Sequence, residues 1–201
     1  MANVAAPFGF QWTGTVDGAP SFRSSSRLID PTNSTPIYWG DAVVPHTSVS
    51  LTGYIQQATA STVVMAGIFY GCQYFSISQR KLVNSRYWPG TTTDVVSGTQ
   101  ITAFVCDDPL AVFRVQAGGS NIATSALWEN VQLNVGTGST STGFSGMYVE
   151  SPANTSTLPF RIFGFPTTPP GANGTDQASA YNIIHVVFNN EVWKTGSQSI
   201  G

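Results

Sequence analysis

Hydrophobic positions along this chain come in short bursts with a period of two. Val49, Leu51, Gly53 and Ile55 alternate with Ser50, Thr52, Tyr54 and Gln56, as in a strand with one face on a core and one on water. Ile37-Tyr38-Trp39 and Ala42-Val43-Val44 are short apolar runs around Gly40-Asp41. The run from Val63 to Phe75 is longer, β-branched and aromatic, and is interrupted by Gly67 and Gly71. Glycine inside a strand marks a bulge or a barrel corner. Further strands are predicted over 101–106, 110–116, 131–135, 144–149, 158–165 and 181–188, separated by Gly, Thr, Ser and Pro. Many short strands with frequent turn signals predict an all-β fold, an antiparallel sandwich or barrel with long loops. At most one short helix is expected, over 121–128, where Ser120 or Asn121 can cap it and Ile122, Ala126 and Leu127 can face a core.

The ends of the chain lack either period. Residues 1–35 carry Pro7, Pro20, Pro31 and Ser24-Ser25-Ser26 and are predicted to form an extended N-terminal arm. A β-rich globular domain is expected over 36–193 and a flexible C-terminal tail over 194–201. Phe8, Phe10 and Trp12 give the arm large aromatics that a free tail would not need, so the arm is expected to dock. The low-complexity stretch 136–143 reads as an exposed hairpin loop or mobile tip. A second long loop, 166–174, is stiffened by Pro169-Pro170.

Composition narrows the function classes. Charged residues make up 9% of the 201 residues, against about 25% in an average soluble domain. With 41% apolar and 12% aromatic residues, the chain has material for a core. Eight Lys and Arg are scattered over a chain of net charge -2, which argues against a nucleic-acid partner, since phosphate binding needs clustered cations. The nearest approach to a cluster, Arg80-Lys81 with Arg86, reads as a solvated loop. No apolar run reaches the roughly 18 residues of a membrane helix. The N-terminus lacks the basic and apolar regions of a signal peptide, so synthesis in a cytoplasm and no membrane partner are expected. Cys72 and Cys106 lie in apolar runs and read as buried thiols, with pairing left open.

Catalytic patterns are scarce. His185 stands in the strand-like run Ile183–Val187 and reads as a hydrogen-bonded strand histidine. With His46 it makes no zinc-ligand spacing. Gly143-Phe144-Ser145-Gly146-Met147 fails the nucleophile-elbow pattern at its last position, and no phosphate loop is present. Asp107-Asp108-Pro109 is the one adjacent acid pair. Neighbouring strand residues point to opposite faces, so these acids read as a turn and only secondarily as half of a hydrolase dyad. No catalytic, cofactor-binding or metal-ligating residue is predicted. Tyr87-Trp88-Pro89-Gly90 reads first as a tight turn covering a core edge. An alternative reading makes Trp39, Trp88 and Trp128 sugar platforms of a carbohydrate-binding protein.

Several segments, taken in order, carry a family resemblance. They are 5–10 (APFGF with its preceding Ala), 67–74 (GIFYGCQY), 86–90 (RYWPG), 103–109 (AFVCDDP), 112–116 (VFRVQ), 158–165 (LPFRIFGF) and the pair Asn189-Asn190. The chain is similar to capsid cement, or decoration, proteins, including those of some cyanophages. The resemblance implies a β-rich structural protein on the exterior of a phage head, with no enzymatic activity. Its implied partners are the major capsid protein and copies of itself, with a trimer favoured by lattice geometry. Phe8, Phe10, Trp12, Trp39, Tyr87 and Trp88 are the candidate capsid or inter-subunit contacts.

Overall fold

A computed structural model of the chain describes residues 3–90, 94–166 and 176–194. Among these residues twelve strands form. They are β1 (Gln11–Thr15), β2 (Ser25–Ile29), β3 (Ala42–Pro45), β4 (Tyr54–Gln57), β5 (Gly67–Ser76), β6 (Lys81–Ser85), β7 (Ile101–Cys106), β8 (Ala111–Gln116), β9 (Asn130–Asn134), β10 (Tyr148–Ala153), β11 (Phe160–Gly164) and β12 (Ile183–Phe188). The fold is all-β, as the alternation predicts.

Two six-stranded sheets share the strands, in the orders β1-β8-β12-β11-β9-β10 and β3-β4-β2-β7-β5-β6. In the second sheet β3 also pairs with β5, which closes five strands into a barrel and leaves β6 outside as an edge. The first sheet curls as well: Ala117 bridges Val149, and Gly118 N–H donates to the Val149 carbonyl at 2.9 Å, bringing the ends of β8 and β10 together. One pair, β2 with β4, is parallel, so the sheets are not antiparallel throughout. The chain between β2 and β4 contains β3, which supplies the crossover that a parallel pair requires.

The apolar runs follow from this stacking. Ala42, Val44, Ile68, Tyr70 and Cys106 face the core shared with the first sheet, while Val43, Phe69, Ala103 and Val105 point into the barrel. Strands buried on both faces read as continuous hydrophobic runs. On β11, by contrast, Phe160 and Ile162 are buried while Arg161 and Phe163 are exposed, the simple alternation of a one-sided strand. Gly67 begins β5 at φ 144°, where an added Cβ would stand 2.5 Å from the Cys106 carbonyl oxygen. Only glycine lets β5 pass so close to β7 at that corner.

The N-terminal arm expected over 1–35 is not an arm. β1 pairs with β8, Trp12 opposite Phe113, and β2 pairs with β7 from Ser25 to Ile29. Phe10 is 0% exposed and stacks on Phe160 with ring centroids 4.4 Å apart. Even the residues ahead of β1 are tied down, since the Gln116 amide donates to the Val4 carbonyl and accepts from Ala6 N–H, both at 2.9 Å. The alternation over 49–55 is also not one strand. A 3-10 turn occupies Val49–Leu51, and Gly53 at φ 89° turns the backbone before β4 begins. The helix expected over 121–128 is a single 3-10 turn, Thr124–Ala126. The low-complexity stretch folds back on the body: Ser139 N–H donates to the Phe144 carbonyl, and Gly138 lies against the Tyr38 ring. Residues 195–201 of the expected tail and 167–174 of the expected loop lie outside the described residues.

Candidate functional site

Five separate segments converge on one aromatic groove. β1 contributes Gln11 and Trp12, the β1–β2 connection Phe22 and Ser24, the residue before Gly40 is Trp39, and β5 and β7 supply Tyr70 and Phe104. The groove is half open, with a volume of about 440 Å³. Tyr70 fixes its floor: the hydroxyl donates to the Phe10 carbonyl at 3.0 Å and accepts from Trp12 N–H at 2.8 Å. Burial pushes the Tyr70 phenol pKa upward, so it stays a neutral donor.

The rings meet edge to face. Trp12 and Phe22 have centroids 5.5 Å apart, Phe22 and Tyr70 5.4 Å, and Trp39 and Tyr70 5.0 Å. The Arg86 guanidinium lies 5.8 Å from the Trp39 ring and 4.9 Å from Phe144, a cation–π clamp behind Trp39. Phe22 is 47% exposed and sits between Ser21 and Arg23 with no apolar neighbour in sequence. The Trp12 indole N–H is enclosed and has no hydrogen-bond partner among the described residues. Among the described residues no carboxylate, imidazole or thiol lines the groove, whose surface is mainly aromatic and suits apolar and aromatic groups.

The acid pair resolves into two unlike residues. Asp107 is buried and accepts from Ser25 Oγ at 2.6 Å, Arg27 at 2.8 Å and the Trp193 indole at 3.4 Å, all on Oδ2. Arg23 stands 3.8 Å from Oδ1. Asp108 accepts from Leu110 N–H at 3.0 Å, the turn role that a following proline predicts. Glu191 is buried nearby and accepts from Trp193 N–H at 2.9 Å. Burial raises its pKa to about 7, with the Asp107 charge pushing the same way, while the Trp193 N–H and Lys194 oppose it. Lys194 donates to the Phe188 carbonyl at 2.7 Å, and burial lowers its pKa. These contacts stitch β2, the end of β7 and the segment after β12 together. Among the described residues no group of three His, Cys, Asp or Glu could hold a metal ion. Cys72 and Cys106 are buried free thiols, pushed up to about 12 by desolvation.

Of the candidate contact residues, Trp12 and Trp39 meet in the groove. Phe8 lies under Arg114, whose guanidinium is 5.5 Å from its ring. Tyr87 is half-buried and stacks on Tyr38 at 5.4 Å. Phe10 and Trp88 are fully buried and cannot reach a partner. Trp88 fills the barrel interior, its indole donating to the Asn33 carbonyl at 3.2 Å, because the Tyr87–Gly90 turn folds inward. Trp128 stands outside the groove, 75% exposed. Sequence reasoning missed Phe22, Tyr70 and Phe104. Comparison with protein-family models, with curated proteins and with solved structures finds no match to this chain.

Proposed function

We propose that the chain is a non-enzymatic capsid decoration protein that binds the outer surface of a phage head and stabilises the major capsid protein lattice, in symmetric oligomers and most simply trimers. The aromatic groove carries this reading. Aromatic rings at a concave surface are the usual anchors of protein recognition, and this groove offers them with no acid, imidazole or thiol among its described lining residues. Its rings meet edge to face and so suit an inserted side chain or loop better than the flat face of a sugar. A partner that binds an assembled lattice and not its free subunits stabilises the lattice by mass action, and repetition adds avidity.

Co-sedimentation with purified heads stripped of decoration tests this. The intact chain should pellet with heads and saturate at a fixed ratio to the capsid protein. Phe22→Ser and Trp39→Ala should each weaken binding by about tenfold or more, the effect of losing one anchor. No binding of the intact chain at micromolar concentration would remove the proposal.

A further inference from the structure

We infer that the β5–β6 hairpin is a second docking surface, and that it takes an extended, acidic segment of a partner protein as an added strand along β6. This surface is separate from the groove: Tyr70 and Phe75 are five residues apart on β5, about 17 Å along an extended strand.

Three observations combine here. The first is an open edge. Among the described residues β6 pairs with β5 alone, and it lies outside the closed barrel. Among the described residues no further backbone hydrogen bond involves residues 81–84. Half the main-chain donors and acceptors of an edge strand face outward and can template another strand.

The second is an apolar face beside that edge. Phe75 and Leu82 are direct cross-strand partners, exposed by 38% and 54%, and Ile77 at the turn is 52% exposed. The bulge between Phe69 and Cys72 sets this orientation. Beyond it Cys72 and Tyr74 pack on the barrel core, which sends Phe75 outward. An added strand places alternate side chains over its neighbour's, so apolar residues of the incoming segment would cover this pair.

The third is charge. Arg80 and Lys81 stand at the hairpin end, exposed, and neither forms an ion pair among the described residues. Asp94 is spent on the turn itself, accepting from Ser76 Oγ at 2.7 Å and Ser78 N–H at 2.8 Å. Those bonds fix the turn, so docking need not order it first. Two unpaired cations next to an open edge repel basic strands and attract acidic ones.

Binding of short synthetic peptides to the full chain tests the inference, with amide hydrogen exchange read residue by residue. A peptide alternating Glu and Val should slow exchange at 82–84 by about tenfold or more. Its Lys–Val counterpart should not. Charge reversal, Arg80→Glu with Lys81→Glu, should weaken the Glu–Val peptide about tenfold. Phe75→Ser should weaken it as well, and melting temperatures should confirm that both variants fold. Head binding is not a readout, so failure here is distinct from failure of the decoration role. The inference falls if the Glu–Val peptide gives no protection, if the Lys–Val peptide protects equally, or if protection grows with protein concentration alone, which would mean pairing with a second copy.

Discussion

Replacing Asp107 by Asn keeps the shape of the side chain and removes its charge. Three donors converge on Oδ2, from Ser25, Arg27 and Trp193. Hydrogen bonds to a charged group contribute about 1.5–3 kcal/mol each, but they are not lost together. The Ser25 and Trp193 donors can still reach an amide oxygen. The Arg27 side chain is 31% exposed and can recover part of its hydration. Arg23, with 60% of its side chain exposed at 3.8 Å, adds little. The expected loss for Asp107→Asn is therefore about 2–3 kcal/mol, below the 3–5 kcal/mol of breaking a fully buried pair. For a domain of this size that lowers the melting temperature by roughly 4–12 °C. Asp108→Asn removes the charge from one exposed turn acceptor and should cost under about 1 kcal/mol. Urea titration of both variants, combined with Arg27→Leu in a double-mutant cycle, measures the difference and the coupling. A loss under about 0.5 kcal/mol at Asp107, or a larger loss at Asp108 than at Asp107, would refute this account of the junction.

Other outcomes follow from the same structure. Glu191 has its folded pKa raised to about 7, so the native state holds its proton more tightly than the unfolded chain. Its contribution is full below about pH 4.5, is lost as pH rises through 7, and is flat above; a span on the order of 2 kcal/mol is expected in urea titrations. Glu191→Gln should flatten that window, and an unchanged pH profile would count against it. Deleting the first fifteen residues removes β1 and Phe10 and should abolish cooperative unfolding, a result visible by calorimetry, instead of merely weakening docking. Gly67→Ala forces a Cβ onto the Cys106 carbonyl and should cost about 2–4 kcal/mol by thermal melts, whereas Gly98→Ala, with nothing within 4 Å of an added Cβ, should cost only its backbone strain of about 1 kcal/mol.

The strands that read clearly from the sequence are those whose faces differ sharply or are both buried. β7 coincides with the predicted 101–106, and β8, β9, β11 and β12 fall within one residue of, or inside, their predicted ranges. β1, β2 and β6 were not legible for a shared reason: each is short and half polar. Gln11-Trp12-Thr13-Gly14-Thr15 and Ser25-Ser26-Arg27-Leu28-Ile29 take their order from neighbours distant in the chain. Local pattern cannot register that support. In the same way Trp12 and Trp39 were visible as aromatics, but their meeting with Phe22, Tyr70 and Phe104 depends on which strands pair. Trp88 reads first as covering a core edge, and the closed barrel turns it in; only its candidacy as a contact falls, because an aromatic beside Pro-Gly can turn either way.

The nesting of the two sheets sets an order of events during synthesis. Every strand of the barrel sheet, β2 to β7, lies between Ser25 and Cys106, so the barrel can close while the rest of the chain is still on the ribosome. β1 cannot join it. Its partner β8 and the rings that pack on Phe10, from Phe113 and Phe160, come from the last half of the chain. At about 5–20 residues per second, the first strand waits on the order of ten seconds or more with its aromatics uncovered. During that interval a nascent chain offers both a sticky leading segment and an unfinished sheet, the two features that recruit chaperones or seed aggregates. Yield of soluble protein should therefore depend more on the rate of translation through the second half than on the stability of the finished fold.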